Sequence, residues 1–407
     1  MNDFLPVILG SDPNVYGVAS SFDEAYGIKS VAISKTHQFY TEHLDFLKVE
    51  SFDNIDKSGD DFVEILNSFA KRPENRGKEL LLFPCSDGYV GLAIENRDRL
   101  DPAYKLNVIS KELRNRLENK KDFYETCKEY GLPFPETFII TSENYKDFSL
   151  PFDYPVIAKP NDSIKYVEID HFEGYKKAYK AENREELLSI LEKVYAAGYD
   201  DDFIIQDFIP GGTDAMYVVN AYVGQNGKVQ MTCGARCALD ECLPNDIGNY
   251  NALITGSYPA LTESVKEFLE KIEYRGFANF DFKYDRRDDT YKVFEINLRN
   301  GRSSYYMTVA GNNFVKYPVM DLIEDNPSAY VDFRKEHLWY HTAKSVLLAY
   351  TPESMKEQVK RLFKERKATF SLSYKAWRNP YREAYCLRRK LSTIKYYPKL
   401  EGKRRED

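Results

Sequence analysis

The 407-residue sequence is poor in the residues that carry several common chemistries. Its five histidines, His37, His43, His171, His337 and His341, are scattered and form no pattern with a serine or cysteine that suggests a nucleophilic triad. His337 and His341 are four apart, but Leu338 stands where a helical zinc motif of that spacing needs glutamate. Six cysteines are too few for a disulfide framework in a chain of this length. Cys233, Cys237 and Cys242 cluster without C-x-x-C spacing or a nearby histidine, so reduced thiols are expected rather than a metal knuckle. Gly10 and Gly17 do not complete G-x-G-x-x-G, which disfavours a nicotinamide enzyme. No apolar run approaches the roughly 20 residues that span a bilayer. Met1-Asn2-Asp3-Phe4 has no basic leader, and a soluble, cytoplasmic protein is the expectation. No internal repeat or low-complexity stretch stands out.

What is present is a globular composition, 43% hydrophobic and 30% charged, with chain enough for two or three domains. Residues 5–9 form an apolar run, 10–14 have turn chemistry, and 15–26 suit a helix; strands at 30–34 and 79–84 follow. Apolar strands alternating with helices predict a parallel, helix-covered sheet. Ligands of such sheets sit beyond the carboxyl ends of the strands, which makes Ser11, Asp12, Asn14 and Asp87 candidate substrate residues. From residue 119 the character changes. A helix over 120–130 stops at Gly131, a strand over 154–160 carries Lys159, and a helical stripe over 183–197 ends at Gly198. A strand over 203–209 precedes Pro210-Gly211-Gly212, and 216–223 with 228–233 read as a hairpin about Gln225-Asn226-Gly227.

A second hairpin, 279–284 and 291–297, is chemically more specific. Asn279, Asp281 and Lys283 share one face of its first strand, and Val293, Glu295 and Asn297 share one face of the second. A turn centred on Asp288 sets Asp281 opposite Glu295, an arrangement that repels unless a cation lies between. With the amide oxygen of Asn297 these make an all-oxygen set suited to magnesium; an exposed acidic strand face is the plain alternative. The sequel Leu298-Arg299-Asn300-Gly301-Arg302-Ser303-Ser304 adds two guanidinium groups and two hydroxyls, a cradle for phosphoryl oxygens.

Glu295-Ile296-Asn297-Leu298-Arg299 resembles the E-[IV]-N-x-R signature of the ATP-grasp enzymes, with Asp281 as the preceding metal-binding aspartate. The resemblance covers roughly 1–320 and implies an α/β chain, α+β in the grasp itself. It implies a Rossmann-like pre-ATP-grasp domain (1–115), a two-part ATP-grasp domain (116–320, divided into 116–210 and 211–320) and a basic C-terminal extension (321–407). ATP would be held by Lys120, Lys159 and the adenine-edge segment Gln206-Asp207-Phe208-Ile209. One or two Mg2+ ions would be held by Asp281, Glu295 and Asn297. Arg299 would steady an acyl phosphate, while Arg302, Ser303 and Ser304 would orient the acid. The phosphate-covering loop, glycine-rich in many members, has no glycine over 161–172, and Asp162, Ser163 and Lys165 are expected in its place. More narrowly the chain resembles the D-aspartate ligases of peptidoglycan crossbridge synthesis, through residues 10–17, 206–211, 276–281 and 295–299. That implies amide formation, via an acyl phosphate, between the β-carboxylate of D-aspartate and the lysine ε-amine of a UDP-linked muramyl pentapeptide, with no nucleic-acid partner. A ligase of another acid or acceptor, and an ATP-binding module without turnover, are the alternatives.

The net charge of -7 is unevenly spread, because residues 361–407 hold 15 Lys/Arg against 5 Asp/Glu. Thr351-Pro352-Glu353 reads as a helix start. Beyond it Tyr374, Trp377, Arg378, Tyr381, Arg382 and Tyr385 mix aromatics with cations. Three readings stand side by side: packing on the acidic body, docking at the inner face of an anionic membrane, and binding the nucleotide-linked precursor.

Overall fold

The computed structural model describes residues 3–243, 246 and 248–406; the side chains of 163, 164 and 402–406 lie outside that description. The chain forms two compact units. The larger comprises 1–111, 212–280 and 297–407, and the smaller 112–211 and 281–296. No helix among the described residues is long and apolar enough to cross a membrane.

The larger unit begins with five parallel strands, β1 (Phe4–Leu9), β2 (Ser30–Ser34), β3 (Leu47–Ser51), β4 (Glu79–Pro84) and β5 (Tyr104–Lys105), in the order β3-β2-β1-β4-β5. β1 and β4 are almost wholly buried, as strands covered on both faces must be. Alternation sends Val7 and Leu9 into one core with Phe62, Leu66 and Leu82. It sends Ile8 into the other, with Val15, Phe22 and Phe83. The helix Pro13–Tyr26 starts two residues earlier than expected, because Pro13 suits a first helical position and the Asp12 side chain accepts from the Asn14 and Val15 amides. Gly17 in this helix faces the short helix Tyr305–Val309 so closely that an added Cβ would lie 2.8 Å from the Tyr305 Cβ.

In the smaller unit β6 (Thr137–Ile140), β7 (Val156–Pro160), β8 (Tyr179–Ala181) and β9 (Phe203–Asp207) form an antiparallel sheet in the order β6-β9-β7-β8. The helix Lys120–Tyr130 is capped by Asn119 and ends at left-handed Gly131; Asn183 caps Arg184–Ala196. Leu187, Leu191 and Val194 of the latter pack with Val156, Ala158 and Ile205 of the sheet.

Further along the chain come β10 (Met216–Val223), β11 (Val229–Asp240), β12 (Tyr250–Thr255), β13 (Gly276–Asp285), β14 (Thr290–Asn297), β15 (Val331–Phe333), β16 (His337–Tyr340) and β17 (Ala368–Phe370). β13, β10, β11, β12, β16 and β17 neighbour one another in that order, with β15 beside β11. The hairpin about 225–227 is present, but β11 runs on to Asp240 because its second half pairs with the distant β12. β13 and β14 pair as a hairpin whose residues 281–296 belong to the smaller unit. All six cysteines are buried.

Two helices, Glu353–Lys364 and Pro380–Glu406, dominate the C-terminal stretch. Thr351 does not cap the first of them. Its hydroxyl turns back to the Leu347 carbonyl at 2.7 Å, and Pro352 takes the capping position. The second helix is tied down by buried arginines. Arg389 donates to Glu241, Asn251 and the His341 carbonyl, each at 3.1 Å, and Tyr396 donates to Glu241 at 3.0 Å. Arg382 donates to the carbonyls of Phe39 and Tyr40 at 3.0 and 3.1 Å. Removing one partner of a buried pair leaves an uncompensated charge, so Arg389→Met should lower stability to urea by about 3–5 kcal/mol. Adding Glu241→Gln should recover part of that loss; an additive double mutant would show that the pair is not coupled.

Candidate functional site

In the larger unit, the turns after β1 and β4 and the segment 298–304 meet through buried amides. Asn300 donates to the side-chain oxygen of Asn14 at 2.6 Å. Asn14 donates to the Cys85 carbonyl at 3.0 Å and to the Asn300 carbonyl at 3.3 Å. Asn220, in the middle of β10, accepts from the Gly301 amide at 2.9 Å and from the Ser304 hydroxyl at 3.4 Å, and donates to Tyr306 at 3.1 Å. Gly301 lies close to Asn279, and an added Cβ would stand 2.9 Å from that residue's side-chain nitrogen and displace it.

This scaffold presents two guanidinium groups. Arg299 donates to Asp87 at 3.0 Å, to the Asn297 side-chain oxygen at 3.2 Å and to the Asn300 carbonyl at 3.1 Å. Arg302 lies 3.6 Å from Asp246. Burial raises the Asp12 carboxyl above its ordinary range, while the Val15 amide and the positive fields of Arg302 and Arg299 oppose the shift. Ser11 is buried, and its hydroxyl donates to the Thr36 carbonyl at 2.7 Å. Ser303 and Ser304 are buried too, with the Ser304 hydroxyl donating to the Gly301 carbonyl at 2.5 Å. The larger unit thus gathers Ser11, Asp12, Asn14, Asp87, Asn297, Arg299, Arg302, Ser303 and Ser304 around one end of its first sheet.

The smaller unit holds a second group. Lys159 on β7 donates to the Tyr124 hydroxyl at 2.8 Å, which donates to the Phe294 carbonyl at 2.8 Å. Lys120 donates to the Asn161 carbonyl at 3.4 Å. Burial, aided by the charge of Lys120, pushes the Lys159 ammonium down to about 7, against the pull of Glu295. Burial likewise lowers Lys120, against Glu295 and Asp162. Asp281 is half-buried on β13 and Glu295 exposed on β14, both in this unit; Asn297 ends the same strand within the larger one. Among the described residues no three His, Cys, Asp or Glu side chains gather as a metal site. The set read from the sequence has two carboxylates and one amide.

Gln206 is buried and donates to Thr137 at 2.9 Å; Ile209 is buried. The Asp207 carboxylate is gripped by Arg287, which also binds buried Asp285. Lys180 and Lys283 lie over the Phe208 ring at 4.7 and 5.0 Å. The glycine-free segment is a short helix, Ser163–Glu168, on an Asp162 cap that accepts from the Lys165 amide at 3.1 Å. It is anchored by buried Tyr166, whose hydroxyl meets that of Tyr179 at 2.6 Å. Lys165 pairs with Asp201 at 3.3 Å. The Ser163 side chain lies outside the described residues. Asn220, Asn300 and Tyr124 were not singled out by sequence reasoning. The one available signal for Asn220 was an amide interrupting the apolar run of β10.

No family model matches the chain. It is 39% identical over 383 residues to D-aspartate ligase of Enterococcus faecium (strain Aus0004), a match covering 91% of this chain and 90% of that one. It is 22% identical over 198 residues to the N-terminal section of the carbamoyl phosphate synthase large chain of Methanopyrus kandleri, covering 46% of this chain and 32% of that one. Among solved structures it resembles the L-amino acid ligase from Bacillus licheniformis, with a TM-score of 0.55 at 13% identity over 79% of this chain and 74% of that one. It also resembles an ADP complex of N5-carboxyaminoimidazole ribonucleotide synthetase, with a TM-score of 0.58 at 13% identity over 89% and 86%. Those two likenesses concern the fold. A relative this similar over nine-tenths of both chains fixes the family: the chain belongs with D-aspartate ligase among the ATP-grasp carboxylate–amine ligases, enzymes that form a carbon–nitrogen bond at the expense of ATP.

Proposed function

We propose that the chain joins the β-carboxylate of D-aspartate to the lysine ε-amine of a UDP-linked muramyl pentapeptide, in the cytoplasm. The observation that carries the choice of acid is the pair Arg299 and Arg302, whose fields converge on half-buried Asp12. A dicarboxylic amino acid offers two anionic groups, which two guanidinium groups can hold, and one ammonium, which a carboxylate such as Asp12 can hold. The similarity to D-aspartate ligase supports the same choice.

In this reading the functional division is 1–115, 116–210, 211–320 and 321–407. Arg302, Ser303 and Ser304 orient the acid, and Ser11, Asp12, Asn14 and Asp87 shape the loops around it. Its carboxylate takes the γ-phosphoryl group of ATP, and Arg299 steadies the resulting acyl phosphate. The amine then attacks the acyl carbon, the C–N bond forms, and phosphate departs with the electron pair of the C–O bond. Transfer of this kind depends mainly on positioning and charge neutralisation. Lys120 and Lys159 supply that charge along the phosphates, bordered by Asp162 and Ser163, while residues 206–209 hold the adenine and ribose. Asp281, Glu295 and Asn297 offer hard oxygen donors, a chemistry that fits one or two Mg2+ ions. Bound there, magnesium would neutralise phosphate oxygens.

Phosphate release from Mg·ATP with a panel of D- and L-amino acids, with and without the pentapeptide, tests the substrates. Turnover is expected with D-aspartate when the pentapeptide is present; turnover with another acid or acceptor would replace the proposed pair. Glu295→Gln should lower kcat at least about a hundredfold with the fold intact by circular dichroism, and a mutant of full activity would remove Glu295 from the metal set. Lys159 gives a pH signature. Above about 7 its amine is neutral in the free enzyme, whereas bound triphosphate favours the ammonium, so binding takes up a proton. ATP affinity should therefore fall as pH rises above about 7, by up to about tenfold per pH unit, and Lys159→Arg should flatten the profile. Calorimetric titration at several pH values checks this, and a flat wild-type profile would take Lys159 away from the phosphates.

A further inference from the structure

The helix Pro380–Glu406 buries a mixed face against the body and leaves further apolar residues on its other face. Its inward stripe, spaced i, i+4, i+7, i+11 and i+15, is Arg382, Cys386, Arg389, Thr393 and Tyr397, all buried. At 100° per residue, a second stripe lies roughly 130° around the helix. It consists of Leu387, Leu391 and Ile394, which are 56%, 54% and 46% exposed. Arg382 and Arg389 are inside, and Leu387, Leu391 and Ile394 outside. None of the three belongs to a hydrophobic core of the larger unit. Exposed Arg388, Lys395 and Lys399 border one side of this outer stripe, and exposed Glu383 stands on the other. Trp377, 73% exposed, and Tyr381, 63% exposed, stand just before the helix and in its first turn.

We propose that this outer stripe is a docking surface for an anionic lipid bilayer, into which Leu387, Leu391 and Ile394 insert at headgroup depth. Two features select lipid over a second copy of the chain. The cations bordering the stripe would confront their own kind across a symmetric dimer but meet opposite charge on acidic headgroups. Trp and Tyr at the leading end are the side chains that favour the water–hydrocarbon boundary. The charge distribution also orients the approach. Residues 361–407 carry +10 and the rest of the chain -17, so an anionic surface attracts the tail and repels the body. This surface is independent of the ligase assignment and uses no residue of the proposed active site.

Co-sedimentation of the full chain with phosphatidylcholine vesicles, with and without phosphatidylglycerol, tests the proposal. Binding is expected to the phosphatidylglycerol vesicles only and to weaken with salt. The triple variant Leu387→Gln, Leu391→Gln, Ile394→Gln should bind them at least about tenfold more weakly while keeping ATP-dependent turnover in vesicle-free solution, which reports an intact fold. Arg388→Gln with Lys395→Gln should weaken binding and its salt dependence together. Three outcomes would overturn the proposal: no vesicle binding, equal binding to both vesicle types, or a wild-type dimer in sedimentation analysis that the triple variant dissolves without any vesicle binding.

Discussion

Everything at the end of the first sheet depends on a turn with two arginines, 298–304, being held still by neutral groups. Arg299 pairs with Asp87 and Arg302 with Asp246, but these carboxylates are open to solvent and such pairs add little rigidity. The turn is therefore fixed through its backbone and through side-chain amides. Asn14 and Asn300 exchange hydrogen bonds in the interior, and Asn220 reaches up from β10 to take the Gly301 amide. An amide both donates and accepts, so such a network adds no charge. Buried networks of this kind are rigid when complete and costly when broken. The arginines are thus placed by asparagines contributed from three distant parts of the chain.

The smaller unit solves a related problem with burial. Lys120 and Lys159 sit where water is scarce, so their positive charge is held at a cost in the free state. In the proposed reading a polyanionic ligand would relieve that cost and convert desolvation into affinity. The segment at 161–172 follows a different logic from a glycine-rich flap. Tyr166 packs with Tyr175, Tyr199 and Phe203, and its backbone is organised by the Asp162 cap. Aromatic anchorage makes this segment a positioned wall.

Local pattern made much of this legible. Asn119 and Gly131 bracket the helix Lys120–Tyr130 because caps are local chemistry, and the hairpin of β13 and β14 follows from alternation on either side of a polar turn. What escaped is non-local. Nothing near Asn220 says that its partners lie some eighty residues away. The second half of β11 is a strand because β12 pairs with it. Thr351 has the side chain of a cap but is claimed by Leu347 of the preceding turn. Among the three readings of the basic tail, burial of Arg382 and Arg389 makes packing on the body true for one face of its last helix, and leaves the other face to a different role.

The core under the first sheet also dictates when that sheet can be finished. Phe4, Ile8 and Phe22 share it with Tyr305, Phe314, Phe370 and Cys386. At roughly 5–20 residues per second, the ribosome releases the last of these tens of seconds after the first. Throughout that interval one face of β1 and its covering helix has no permanent cover. The nascent chain therefore carries part of that core uncovered until its C-terminal residues emerge.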